Sequence, residues 1–217
     1  WLWARTVKSP SPAFSHVDVP LMSSFVLSSK AGKEAYVEPV INNDSYWFRV
    51  SVGKPPSNTN HGTKVGRGSF RCILSDVPIS YSYADHEANS GRMGSRLFAL
   101  VAEGRRGRVY LDASISQAQK AECAQPGWRP ETRSRGTWAS NAQGRVYGFR
   151  TFADYFTNRQ LVALSTFSDL VQEAREKAYK DAKAAGLSDD ESSLADGGFG
   201  AKAYAEALAV YLSFAIN

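Results

Sequence analysis

An α+β fold is expected for this chain, with a mostly antiparallel β-hairpin and meander region first and an antiparallel helical hairpin last. Three observations predict it. Segments rich in Val, Tyr, Phe and Trp, partly alternating with polar positions, fill the first part. Apolar residues recur at three-to-four spacing through the last third. The charge changes along with the pattern. Residues 1–150 carry 20 Lys/Arg and 11 Asp/Glu, a balance of +9, whereas residues 151–217 carry 6 and 10, a balance of −4, and together these give the net +5. The expected division is therefore a β-rich basic region, 1–150, and a helical hairpin, 151–217.

In order along the chain, residues 24–28, 35–41 and 46–52 read as strands. In the third, Tyr46, Phe48, Val50 and Val52 fall on one face. Lys30-Ala31-Gly32-Lys33 is a hairpin turn between the first two, and Asn42-Asn43-Asp44 turns the next pair, because Asn and Asp tolerate turn conformations. Residues 53–68 read as a loop, and 70–74 with 77–83 as a hairpin about Ser75-Asp76. Leu97, Leu100 and Val101 share a helical face that Gly104 would end. Residues 109–111 resume as a strand, and 116–124 form a short helix capped by Ser114 or Ser116. The stretch 125–145 is irregular, with Gly, Pro, Trp and Arg mixed. Burial of Phe25, Val37, Tyr46, Phe48 and Val50 is expected to hold the hairpins.

The last third begins with a capping box. Thr157 caps the helix start and Gln160 reaches back to it. Leu161, Leu164, Phe167, Leu170, Val171, Ala174 and Ala178 form the apolar stripe, with Glu173/Lys177 and Glu176/Lys180 as i,i+4 pairs. Gly186 ends this helix. A polar, Gly-rich turn follows, and a second helix starts near Ala201. Its stripe of Leu208, Tyr211, Leu212 and Ala215 is still running at Asn217, and Trp1 is not an initiator Met, so a piece of a longer protein is expected.

Several function classes find no support. No apolar run is long enough to cross a membrane. Cys72 and Cys123 are too few for a disulfide framework or a cysteine zinc site, and read as reduced thiols of a cytoplasmic protein. Gly66-Arg67-Gly68 lacks the third glycine of a dinucleotide fingerprint, and there is no Walker loop or nucleophile elbow. His16, His61 and His86 fall in separate loops, and Asp189-Asp190-Glu191 reads as a solvated turn. The arginines carry more. Arg92, Arg96, Arg105, Arg106 and Arg108 lie within seventeen residues, and Arg129, Arg133 and Arg135 follow between Trp128 and Trp138. Guanidinium groups grip phosphate in bidentate fashion, and aromatics among them stack on exposed bases.

The segments Trp1-Leu2-Trp3-Ala4-Arg5-Thr6-Val7, Lys33-Glu34-Ala35-Tyr36-Val37-Glu38-Pro39, residues 91–110 from Gly91-Arg92-Met93-Gly94 onward, and Phe156-Thr157-Asn158-Arg159-Gln160-Leu161 resemble the large adenine-specific DNA methylases. That resemblance runs in order over nearly the whole chain. It implies a parent enzyme that transfers a methyl group from S-adenosylmethionine to the exocyclic amine of adenine in DNA. In that family the cofactor glycine motif precedes the matched region and the Asp-Pro-Pro-Tyr catalytic motif follows it. This chain has neither, and Pro55-Pro56 does not substitute. No catalytic residue and no cofactor are therefore expected in this piece, which would be the insert that faces duplex DNA. Where relatives carry two cysteine pairs of a zinc ribbon, this chain has Ser9, Phe14, Cys72 and Ser75, so no structural zinc is expected.

Phosphate contact is expected of Arg92, Arg96, Arg105, Arg106 and Arg108. Arg133, Arg135 and Trp138 are expected at bases or a displaced strand. Asn158 and Arg159, at a helix start, face DNA or cofactor, or simply cap and charge the helix. The helical hairpin would dock on the missing catalytic domain. The rival reading is a protein–protein interaction module of a DNA-modification or phage-defence complex, in which the arginines meet acidic protein subunits.

Overall fold

The computed structural model describes residues 1–105, 107–134 and 147–216, and is α+β with antiparallel sheets. The chain divides into two compact units. One is Trp1–Glu122 with Thr132–Tyr155, and the other is Cys123–Glu131 with Phe156–Asn217.

The first unit holds three small sheets. β1 (Leu2–Lys8), β2 (Asp18–Pro20), β9 (Gly94–Gly104) and β10 (Gly107–Leu111) form a four-stranded sheet in the order β10-β9-β1-β2. β3 (Val26–Ser28), β4 (Ala35–Asn42) and β5 (Ser45–Val52) form the expected meander. The β4–β5 register runs from Ala35↔Val52 to Asn42↔Ser45, which leaves Asn43-Asp44 as a two-residue turn with Asn43 at φ 51°. β3 pairs only with Ala35 and Tyr36, so Pro39 falls where β4 has run past its neighbour and its missing N–H costs no ladder bond. β6 (Lys64–Gly66), β7 (Ser69–Arg71) and β8 (Pro78–Ile79) form the third sheet. All three sheets feed one core. Val7, Val19, Val37 and Ile79 are fully buried, and Phe48 meets Phe25, Tyr46 and Phe98 at ring-centroid distances of 5.6–6.0 Å. Four of the five expected core residues are buried. Val50 is half-buried, and Val52, placed on the same face, is exposed.

Several local expectations are corrected. The run from Leu97 to Val101 is strand β9, not a helix, and pairs with β1 from Leu2↔Ala99 to Thr6↔Gly94. Residues 97–102 are apolar without alternation: Leu97, Ala99 and Leu100 are buried, Phe98 packs against the core, and the register with β1 shifts at Phe98. The strand expected over 77–83 ends at Ile79. Ser80 accepts a hydrogen bond from the Tyr83 backbone N–H and opens helix α1 (Tyr81–Asn89), which also carries His86. The loop expected over 53–68 contains a 3₁₀ turn, Ser57–His61, and β6, fastened by the buried Thr63 hydroxyl, which donates to Pro20 O at 2.5 Å. Helix α2 (Ile115–Glu122) is capped by Ser114.

In the second unit, α3 (Asn158–Ala184) and α4 (Ala201–Ile216) form the helical hairpin. The Thr157 capping box is complete, and Gly186, at φ 84°, follows the end of α3. Lys177 pairs with Asp181 at 2.5 Å, one turn C-terminal to it, instead of with Glu173. Asp189 is not solvated. Its side chain is 6% exposed and accepts from Tyr179 Oη at 2.7 Å and from the Glu191 backbone N–H. The Tyr179 hydrogen bond, with help from the Glu191 and Lys202 backbone N–H groups and Lys183, holds its carboxyl below the usual carboxylate range against a smaller opposing effect of burial. No helix among the described residues is long and apolar enough to cross a membrane.

Candidate nucleic-acid interface

The first arginine cluster separates into two pairs with different surroundings. Arg92 clasps Glu87, with Nε 3.1 Å from both carboxylate oxygens and Nη2 2.6 Å from Oε1. Arg96 donates to Tyr46 O at 2.7 Å and lies over the Tyr46 ring, 4.2 Å from its centroid. Both therefore serve the packing of the first unit. Arg105 and Arg108 differ. They sit on the β9–β10 hairpin that closes at Gly104↔Gly107, and both are exposed. Neither pairs with a carboxylate among the described residues. The Lys33 ammonium comes 2.8 Å from the position a Cβ on Gly107 would take, which adds a third cation to this hairpin. Arg106 lies outside the described residues.

The second cluster is described only in part. Arg133 is exposed in the first unit and bridges Thr151. Asn158 is in the second unit, where its Oδ1 accepts from the Arg129 guanidinium at the start of α3. Arg159 is half-buried on the same helix turn. Arg135 and Trp138 lie outside the described residues.

The segments that carry the family resemblance have local structural work. In Gly91-Arg92-Met93-Gly94, Arg92 neutralises the buried Glu87 and Met93 packs on the core. A Cβ on Gly94 would come 2.8 Å from Thr6 Oγ1, so a glycine lets β9 close on β1 there. In the Phe156–Leu161 segment, Thr157 and Gln160 make the capping box and Leu161 is buried.

Of the four positions that the resemblance sets against cysteine pairs, Ser9, Cys72 and Ser75 converge. The Ser9 hydroxyl donates to Cys72 Sγ at 3.2 Å, and the Ser75 hydroxyl is buried near the same sulfur without a well-formed hydrogen bond of its own. Burial pushes the Cys72 thiol up, but stabilisation by Ser75, Ser9 and nearby backbone N–H groups outweighs it and holds the pKa below the ordinary thiol value. Phe14 packs against the core. One sulfur, two hydroxyls and a phenyl ring do not fit the four-ligand set of a structural zinc.

The charge and motif patterns did not point to a cleft of about 520 Å³ in the first unit. Trp3, Phe70, Tyr81 and Tyr147 supply aromatic walls, and Arg5 and Lys64 supply two cations. No Asp or Glu is among its described lining residues. Arg5 is held by stacking, with its guanidinium 5.3 Å from the Tyr147 centroid and 4.8 Å from that of Phe149. Burial lowers its pKa, the mark of a cation partly stripped of water, and no carboxylate among the described residues pairs with it. Tyr81 has its place because Gly68 stands beneath it, at φ 73°, where a Cβ would come 2.8 Å from the ring. These residues are spread from position 3 to position 147, so no sequence window contains the site. No family model, curated protein or solved structure matches this chain.

Proposed function

We propose that this chain is the DNA-facing, non-catalytic insert of an S-adenosylmethionine-dependent adenine-specific DNA methyltransferase. The observation that carries the DNA contact is the β9–β10 hairpin, where Arg105 and Arg108 stand exposed beside Lys33, without carboxylate partners among the described residues. Such guanidinium groups bind phosphate oxygens, displace counterions and tie affinity to salt. The methyltransferase parentage rests on the resemblance of the four segments. The cofactor belongs to the missing catalytic domain in this reading. Among its described lining residues the cleft of the first unit has two cations and no carboxylate, which is the wrong polarity for a sulfonium. Ser9, Phe14, Cys72 and Ser75 do not make the four-ligand set of a structural zinc.

Binding of the full chain to a fully paired duplex, followed across a salt series, tests the grip. Arg105→Ala/Arg108→Ala is expected to weaken binding about tenfold or more at low salt, as two lost phosphate contacts would. A folded wild-type chain that does not bind at low salt, or a double variant that binds as wild type does, overturns it.

A second reading, the protein–protein interaction module, is favoured by the helical hairpin. Phe167 and Leu170 on α3, and Tyr211 and Phe214 on α4, are all exposed. Salt-insensitive capture of a protein subunit, together with loss of duplex binding, would move the assignment there.

A further inference from the structure

We propose that the cleft lined by Trp3, Tyr81, Tyr147, Arg5 and Lys64 binds one unstacked nucleotide, its base against the aromatic walls and its phosphate between the two cations. This deepens the nucleic-acid reading and rests on it for the source of the nucleotide, though not for the chemistry of the site. Three features of the cleft agree. Its volume of about 520 Å³ is in the range of small-ligand sites, which run from roughly 300 to 1,000 Å³. Its aromatic side chains come from β1, β7, α1 and the Tyr147 segment, so a flat heterocycle would meet ring faces or edges contributed by several elements. Its two cations meet no counter-charge among the described lining residues. Arg5 is partly desolvated over Tyr147 and Phe149 and has no carboxylate partner among the described residues, and Lys64 is exposed on β6. An anion in the cleft would relieve that imbalance, whereas a neutral aromatic ligand would leave it in place. The ligand that answers both the walls and the charge is a heterocycle carrying phosphate.

Trp3 lines the cleft and reports on it. Titrations of the full chain would follow tryptophan fluorescence with adenosine 5′-monophosphate, adenosine, inorganic phosphate and a single-stranded pentanucleotide, and Trp3→Phe identifies the cleft signal. The monophosphate is expected to bind at least about tenfold more tightly than adenosine or phosphate, since each of those supplies one half of the recognition. A pentanucleotide that binds more tightly still assigns the site to a nucleic-acid strand, and equal binding assigns it to free nucleotide. Tyr81→Ala/Lys64→Ala should weaken the monophosphate about tenfold or more. Tyr81 is 46% exposed and Lys64 lies on the surface, and circular dichroism checks that the variant is folded. Lys120→Ala, which removes an exposed cation on α2, should change nothing. Phosphate binding as tightly as the nucleotide, or a folded double variant that binds like wild type, overturns the proposal. Failure of the duplex grip is seen separately, on fully paired DNA with the Arg105→Ala/Arg108→Ala variant.

Discussion

At Tyr46 three interactions meet on one side chain. The ring is buried edge-on to Phe48, Arg96 lies over it, and the hydroxyl donates to Asp18 O at 2.5 Å. Burial, only partly offset by Arg96, pushes the phenol pKa up to about 12 from an ordinary 10.0. The folded value lies above the unfolded one, so the stability it contributes is complete below the unfolded pKa and is lost as the pH rises through the folded one. The advantage of wild type over Tyr46→Phe in urea unfolding should therefore shrink across that window, by up to about 3 kcal/mol. An advantage that stays constant would mean the phenol does not titrate with folding. Glu87 makes the opposite case. Its carboxylate is 6% exposed and depends on Arg92 for neutralisation. Arg92→Ala should lower the melting temperature, and adding Glu87→Gln should recover part of the loss, because an amide leaves no stranded charge. If the double variant melts no higher than Arg92→Ala, the pair is not what Arg92 is for. Sequence alone placed Arg92 and Arg96 with Arg105 and Arg108, since density of charge says nothing about which guanidinium already has a partner.

Among the elements, those fixed by neighbouring residues could be read from the sequence, and those fixed by distant ones could not. The Asn43-Asp44 turn, the β4–β5 alternation and the Thr157–Gln160 box are each written within a few residues. β9 is not, because Leu97-Phe98-Ala99-Leu100-Val101 fits a buried strand and a helix equally well. What decides it is β1, whose Trp3 stands opposite Leu97 in the sheet. The cleft shares this difficulty, since Arg5, Lys64, Tyr81 and Tyr147 come together only through the fold. Where the local signal is sufficient, removing it has a defined cost. Thr157→Ala deletes the acceptor for the Gln160 N–H and should destabilise α3 by about 1 kcal/mol in thermal or urea unfolding. Thr157→Ser, which keeps the acceptor, should lose much less. Equal losses would mean that the Thr157 methyl group, not the cap, matters.

Over the whole molecule, charge follows the division into units. Trp1–Glu122 with Thr132–Tyr155 carries 19 Lys/Arg against 11 Asp/Glu, a balance of +8, while the unit with the helical hairpin carries 7 against 10, a balance of −3. A polyanion would therefore meet an attractive field at the first unit, which also holds both the β9–β10 hairpin and the aromatic cleft. The two features should obey different laws. Phosphate contacts release counterions, and each adds about 0.9 to the slope of log affinity against log salt on duplex DNA. Stacking displaces no counterions and leaves that slope alone. Arg105→Ala/Arg108→Ala is thus expected to flatten the duplex slope by about 2. Tyr81→Ala should lower the affinity for a single strand at every salt concentration, in a line parallel to wild type. If the arginine variant's line also runs parallel to wild type, Arg105 and Arg108 touch no phosphate, and the positive charge of the first unit acts only as a diffuse field.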